Sequence, residues 1–234
     1  MTPTMMSGLY CGPSIPPAEI LLAWRLDGIA LALTAALVWL GRERPAALWA
    51  AGGLRLLYLS PLCALSAALF SARAVHHAAL VAGIAPLLAL AFPAQSARGL
   101  WPALTLSTAV LWAWHLPAAY AFGVVGAAPY WGMQASLLGT AVLFWRAALA
   151  APAGEAGLAL LFGALQMGML GALLTFAARP IYGVHLTTTG PYGLDPLADQ
   201  QLGGLVMWVP GALPWLVAAA MIAWRGLAPR GAAP

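Results

Sequence analysis

The sequence predicts an all-α, polytopic membrane protein: a bundle of seven transmembrane helices with its N-terminus outside and its C-terminus in the cytoplasm. Of its 234 residues, 63% are hydrophobic and only 7% are charged, whereas a water-soluble domain carries about 25% charged residues. The same composition excludes intrinsic disorder, which requires low hydrophobicity and high net charge. The apolar residues suffice for about seven spans of ~20 residues each.

These apolar residues fall into seven runs. The predicted helices cover 20–40, 46–71, 75–94, 100–122, 130–150, 156–178 and 202–224. Turn-forming residues separate them, as in GRERP (41–45) and APAGEAG (151–157). Only one external segment is long, from Arg179 to about Gln201. Because no repeat or second domain is visible, we expect residues 1–234 to form a single transmembrane domain.

Arginine placement predicts the orientation of this bundle. All ten basic residues are Arg, and cytoplasmic loops of membrane proteins are enriched in basic residues. If the loop after the first helix is cytoplasmic, seven arginines lie at cytoplasmic ends and three at the opposite ends: Arg42, Arg44, Arg55, Arg98, Arg146, Arg225 and Arg230, against Arg25, Arg73 and Arg179. We therefore interpret the formal charge of +4 as a topology signal and expect no binding of nucleic acid.

With this orientation, the residues able to bind metals collect at the outer side of the membrane. They comprise all four histidines, both cysteines and the two aspartates near the C-terminus: Cys11, Cys63, His76, His77, His115, His185, Asp195 and Asp199. Thiolate, thioether and imidazole groups suit Cu(I), with zinc as a competitor. Polar groups inside a membrane are functional by default. The sequence thus predicts a site in the outer leaflet.

The spacing contains no CxxC, HxxxH or HExxH motif, so any ligands would have to converge from different helices. Purely structural interpretations therefore stay open. Cys63 has the character of a small core residue, and His115 could bond a carbonyl group freed by Pro117. His185, in the long loop, is expected to be solvated.

The neighbouring charged and polar residues also allow more than one interpretation. His76 and His77 point about 100° apart on a helix, so we expect His77 to face inward and His76 to lie at the interface. Arg73 could reach lipid headgroups or pair with Asp199. No GxSxG string or phosphate-binding loop is present, which leaves serine hydrolase and nucleotide chemistry without support.

Several strings together resemble the CtaG-like family of cytochrome c oxidase assembly factors. They are SPLCALSAALFSARAVHH (60–77), IAPLLALA (84–91), LWAWHLPAAY (111–120) and LADQQLGGLVMWVPG (197–211). The opening YCGPSIPPAEILLAWRLDG (10–28) is similar to the proteobacterial branch of that family. The resemblance extends over residues 9–225. It implies a seven-helix protein of the bacterial inner membrane that assists maturation of a respiratory haem–copper oxidase by supplying copper.

This chain departs from the family pattern at two histidine positions. The family string His-Met-x-x-His matches only at its second histidine, His77, because Arg73 occupies the first position. A family histidine early in the fifth helix corresponds to Gln134. His115 and Asp199 match the pattern. The departures fit a branch that recruits Cys11 or Cys63 in place of the missing imidazoles.

The sequence therefore predicts a copper-handling assembly factor and not an enzyme. We expect His77 and His115 to hold Cu(I) with Cys11 or Cys63, with His76 as a further candidate. Asp199 would fix a histidine tautomer or pair with Arg73, and Met133 and Gln134 would support the site. The expected partners are an oxidase subunit, membrane lipid and a periplasmic copper chaperone. The alternatives are a haem-binding redox protein with two axial histidines and a cofactor-free chaperone for an oxidase subunit.

Overall fold

The computed structural model describes residues 8–227, and helices dominate them. Arg230, which contributes to the predicted orientation, lies outside the described residues. Short 3₁₀ turns occupy Ile20–Leu22, Gly183–His185 and Gly190–Tyr192. The helices are α1 (Gly28–Leu40), α2 (Pro45–Leu59), α3 (Pro61–Ala68), α4 (Phe70–Ala91), α5 (Leu100–His115), α6 (Pro117–Gly123), α7 (Ala127–Ala150), α8 (Ala153–Thr175), α9 (Pro196–Trp208) and α10 (Leu213–Leu227).

Each predicted apolar run contains helix, but several runs are broken. The run 46–71 divides into α2 and α3, which are bent by 49° at Ser60. The Ser60 hydroxyl accepts a hydrogen bond from the Leu62 amide at 3.2 Å and caps α3, while Pro61 occupies the first turn, where its missing N–H costs nothing. The run 100–122 breaks at Leu116, whose extended backbone (ψ 132°) is the conformation favoured before a proline.

By length and composition, residues 8–227 contain four helices able to cross a membrane, or five if α2 and α3 form one bent span. These four are Phe70–Ala91, Ala127–Ala150, Ala153–Thr175 and Pro196–Gly226. The first predicted run is shorter than expected, because α1 begins only at Gly28, where the Asp27 carboxylate accepts from the Ala30 amide at 2.9 Å. The count of seven spans and the orientation of the termini remain predictions.

Glycines allow α9 to approach α8 and α4 closely. A Cβ atom added at Gly204 would lie 2.6 Å from the Gly171 carbonyl oxygen in α8, and one added at Gly203 would lie 2.5 Å from the Phe70 ring in α4. Close backbone approach through small residues is the usual way in which membrane helices pack. This contact fixes the N-terminus of α4, where the candidate site begins.

The middle of α4 is a π-helix over Ala79–Ile84, immediately after the two histidines. Pro86 follows, and a proline cannot donate a backbone hydrogen bond to the preceding turn. The Trp145 indole of α7 donates to the Val81 carbonyl oxygen at 2.9 Å and satisfies one acceptor in this wide segment. The π-helix is thus held in place by a tertiary hydrogen bond.

Large apolar side chains cover the outside of the bundle as well as its core. The buried core contains Phe70, Tyr120, Tyr130, Phe144 and Trp145. Exposed aromatic residues include Trp39, Trp49 and Trp224. An extensive apolar exterior of this kind is suited to contact with lipid or with another membrane protein.

Candidate functional site

A buried carboxylate positions the N-terminus of α4, from which most candidate residues project. Asp199 is fully buried and accepts hydrogen bonds from the amides of Phe70 at 2.6 Å and Ser71 at 3.1 Å. It also accepts from the Ser71 hydroxyl at 2.5 Å. The positive end of the helix dipole favours this charge. The expected role of Asp199 as a partner of Arg73 or of a histidine is therefore corrected, because its oxygens cap α4.

Arg73 lies one turn into α4 and is buried, with 2% of its surface exposed. Its NH2 atom donates to the Ser66 carbonyl oxygen at 3.2 Å, and the guanidinium lies 5.4 Å from the centre of the Tyr130 ring. Nε and NH1 have no hydrogen-bond partner. Within residues 8–227, the ion pair found is Arg42–Glu43, and Arg73 has none. Arg73 therefore does not pair with Asp199, and its burial leaves little surface for contact with a lipid headgroup.

The two cysteines form a disulfide, Cys11–Cys63, with a Cα–Cα distance of 5.3 Å. The structure therefore contradicts the expectation of a free thiolate ligand, because each sulfur is bonded to the other. An N-terminal strap, residues 8–12, brings Cys11 into the bundle. In this strap the Tyr10 amide donates to the Val124 carbonyl oxygen at 3.0 Å, and the Gly8 carbonyl oxygen accepts from the Gly126 amide at 2.9 Å.

Both adjacent histidines of α4 are buried, which corrects the expected interfacial position of His76. The His76 ring packs edge-on against Tyr58 with centroids 5.0 Å apart, and both of its nitrogens lack a partner. The His77 ring faces that of His115 with centroids 6.0 Å apart and an interplanar angle of 80°. The structure thus brings together His76, His77 and His115, three of the residues chosen from the sequence.

Hydrogen bonds assign the protons of two imidazoles. His115 Nδ1 lies 2.7 Å from the Leu111 carbonyl oxygen, so Nδ1 carries the hydrogen and Nε2 keeps its lone pair. The Tyr58 hydroxyl donates to Gln134 Oε1 at 3.2 Å, which turns the amide nitrogen towards His77 Nε2 at 3.4 Å. His77 Nε2 is then an acceptor. Both imidazoles therefore present the neutral tautomer required of a metal ligand.

The other predicted supporting residue, Met133, is buried, and its sulfur lies beside Gly123. No group of three or more His, Cys, Asp or Glu side chains between residues 8 and 227 is arranged to hold a metal ion. The geometry offers a two-imidazole pair beside a buried cation. It does not offer the combined histidine and cysteine set expected from the sequence.

The prediction that His185 is solvated is wrong, because its side chain is buried. Its Nδ1 lies 3.3 Å from the Ala68 carbonyl oxygen, and its Nε2 lies 2.7 Å from the Tyr120 hydroxyl. The Tyr120 ring packs against the Phe70 ring. The long loop folds back over the bundle to make these contacts. A loop histidine carries no local signal of such burial, so the sequence could not have identified it.

Burial lowers the pKa of His185 from 6.5 to about 4. The unfolded chain therefore binds a proton at a higher pH than the folded chain, and stability is lost as the pH falls from about 6.5 to about 4. We expect thermal unfolding in detergent to show a loss of roughly 3 kcal/mol over this interval attributable to His185. In His185→Asn that part of the pH dependence should disappear, although the variant is less stable at pH 7. An unchanged pH profile in the variant would refute this assignment.

Comparison with known proteins gives a family match over the C-terminal part of the chain. A family model described as cytochrome c oxidase caa3 assembly factor (Caa3_CtaG) matches residues 99–228, more than half of the sequence. The matched segment contains His115, Gln134 and Asp199, whereas Arg73 and His77 precede it. No curated protein and no solved structure matches the chain.

Proposed function

Because the chain belongs to the cytochrome c oxidase caa3 assembly factor family, we propose that it binds Cu(I) at the outer face of the bacterial inner membrane and passes it to an oxidase subunit. Copper is the cargo of this process and not a resident cofactor. The proposal includes the predicted orientation, in which the histidines of α4 and α5 lie near the periplasm.

The observation that carries the proposal is the pair His77 and His115. Two imidazole nitrogens about 2 Å from one metal ion place their ring centroids about 5–6.5 Å apart. The observed separation of 6.0 Å lies within this range. Each ring also has an unprotonated Nε2 by the hydrogen bonds described above. The pair therefore fits one metal ion once the Gln134 amide turns away from His77 Nε2, whose lone pair it occupies.

The surrounding charges favour a monovalent ion. Arg73 lies one helical turn before His77 and is buried without a counter-charge. Coulomb repulsion in a low-dielectric interior grows with the charge of the ion, so a divalent cation is repelled twice as strongly as Cu(I). Imidazole is an acceptable ligand for copper. These facts support Cu(I) over zinc as the cargo.

Unsatisfied nitrogen atoms close to this pair point to a bound species. His77 Nδ1 and both nitrogens of His76 are buried without partners. Such groups are rare. His77 Nδ1 carries the hydrogen and needs an acceptor such as water, whereas the unprotonated nitrogen of His76 is able to bind a cation. A site with two protein ligands and an open coordination shell suits an ion that is to be handed on, because a partner can supply further ligands. A periplasmic copper chaperone is the proposed donor, and an oxidase subunit the proposed acceptor.

Anaerobic titration of the purified protein with Cu(I), against a chromogenic chelator, tests this function. We expect about one Cu(I) per chain in protein with its disulfide intact, and none in the double variant His77→Ala, His115→Ala. His185→Ala is the matched control, because it also removes a buried imidazole but leaves the pair untouched. It should retain the ion.

Other outcomes would contradict the assignment. Unchanged stoichiometry in the double variant would show that the pair is not the ligand set. A Soret absorption band in the purified protein would instead identify haem between the two histidines. Co-purification with an oxidase subunit that survives loss of every His and Cys, without any bound copper, would favour the cofactor-free chaperone.

A further inference from the structure

The guanidinium of Arg73 lacks the counter-charge that a buried cation requires. Burying an ion without a partner of opposite charge is strongly unfavourable. Within residues 8–227 no carboxylate pairs with Arg73, and two of its three nitrogens have no hydrogen-bond partner. The proposed site at His77 and His115 does not supply this charge, because neutral imidazoles and Cu(I) together remain positive. The anion must come from elsewhere.

The nearest candidate is the sulfur of Cys11, which three polar groups surround. Arg73 NH2 lies 4.0 Å from Cys11 Sγ, the Ser66 hydroxyl 3.8 Å and the Tyr130 hydroxyl 3.7 Å. A disulfide sulfur is a weak acceptor and gains little from these donors. A thiolate in the same place would gain charge-assisted hydrogen bonds and would pair with the guanidinium. The surroundings therefore suit the reduced form of the pair.

We propose that Cys11 and Cys63 are a redox-active pair whose reduced form holds a second Cu(I) ion between two thiolates, with Arg73 as the counter-charge. The proposal rests on the copper-handling function proposed above. A Cu(I) ion with two thiolates carries one negative charge, which the single positive charge of Arg73 neutralises. Thiolate is also the ligand type that selects Cu(I).

The chemistry takes two balanced steps. An external dithiol reduces the disulfide: the S–S bond breaks, the two protein sulfurs become thiols, and the dithiol is oxidised to its own disulfide. Binding of Cu(I) then forms two Cu–S bonds and releases two protons. Because Arg73 stabilises a Cys11 thiolate, it favours the reduced form, and we expect the pair to be readily reducible.

The proposed steps require the strap to move. It is held to the rest of the bundle by the backbone contact with residues 124–126 and by the Tyr10 side chain, which donates to Asp27, accepts from Trp131 and stacks on Tyr130. These contacts must open for the strap to move. If residues 8–12 lift away, the disulfide becomes accessible to a thiol from the external side. Two sulfurs about 2.3 Å from one ion must also move apart from their bonded distance, and the same displacement supplies that separation.

Copper stoichiometry in oxidised and reduced protein tests the proposal. Wild-type protein is left oxidised, or is reduced with dithiothreitol and desalted anaerobically, and is then titrated with Cu(I). We expect one ion per chain in the oxidised form and two in the reduced form. Cys11→Ser with Cys63→Ser should bind one in both conditions. Arg73→Met should weaken only the reduction-dependent ion, by about 10–100-fold, as is usual for loss of a group that supports a metal ligand.

The same titration separates failure of this proposal from failure of the proposed function. In His77→Ala, His115→Ala the reduced protein should still bind one ion. If that variant retains its ion when oxidised, the histidine assignment is wrong but the dithiolate site stands. If reduced wild type binds no more copper than the serine variant, the dithiolate site is overturned. Should the serine variant fail to fold, alkylation of reduced wild type with N-ethylmaleimide must remove the same ion, and a retained second ion would overturn the proposal.

Discussion

Replacing Asp199 with alanine is expected to destabilise the protein by about 3–5 kcal/mol and to prevent its accumulation in the membrane. The carboxylate is fully buried and accepts from the amides of Phe70 and Ser71 and from the Ser71 hydroxyl. Alanine would leave these donors buried without acceptors, and each such group costs roughly 1–3 kcal/mol. Because Phe70 and Ser71 form the N-terminus of α4, loss of the carboxylate would also displace Arg73 and the histidines that follow in the helix.

Asp195 provides the matched control for this substitution. It caps α9 through the amides of Leu197 and Ala198, at 2.9 and 3.3 Å, but these bonds are exposed. Replacing an exposed N-cap with alanine costs about 1 kcal/mol. Expression level and thermal unfolding in detergent should therefore separate the two aspartates clearly. Equal effects of Asp199→Ala and Asp195→Ala would contradict the structural role assigned to the buried carboxylate.

Gly204→Ala is expected to cost about 2–3 kcal/mol, although it adds only one methyl group. That methyl would lie 2.6 Å from the Gly171 carbonyl oxygen and 2.6 Å from the Thr175 amide nitrogen. Both contacts are with backbone, which cannot rotate away, so α8 and α9 must separate. Overpacking of this kind typically costs 1–3 kcal/mol. Asp199 lies on the same helix, so the displacement should also reduce copper binding.

Gly139→Ala in α7 is the control, because this substitution is expected to leave the stability unchanged or to raise it. A Cβ atom there meets nothing within 4 Å. Alanine in a helix interior is favoured over glycine by up to about 1 kcal/mol, so this variant should be as stable as wild type or more so. Thermal unfolding measures both variants. A Gly204→Ala protein as stable as Gly139→Ala would show that α8 and α9 do not approach as closely as described.

The helical membrane class follows from composition and patterning, but the breaks within the helices depend on tertiary contacts. Apolar runs predict where helix occurs, and Pro117 predicts the break between α5 and α6. The start of α4 at Phe70 could not be predicted, because its cap, Asp199, lies more than 100 residues further along the chain.

Residue chemistry selects candidate residues for the site, but it does not predict which of them are in contact. Residue chemistry identified His77, His115, Cys11 and Cys63 as candidates. Which of them meet depends on how separate helices converge, and on the strap that carries Cys11 to Cys63. The burial of His185 was not predicted because a loop position predicts exposure, whereas the loop folds inward against Tyr120.

The copper content of the oxidase tests the central proposal most directly. In cells whose own copy of the gene is deleted, the wild-type protein, His77→Ala with His115→Ala, or His185→Ala would be expressed, and the oxidase purified from each. With comparable amounts of each protein in the membrane, the double variant should yield copper-deficient oxidase, whereas wild type and His185→Ala should yield oxidase with its full copper complement. A full copper complement in oxidase from cells carrying the double variant would contradict the account.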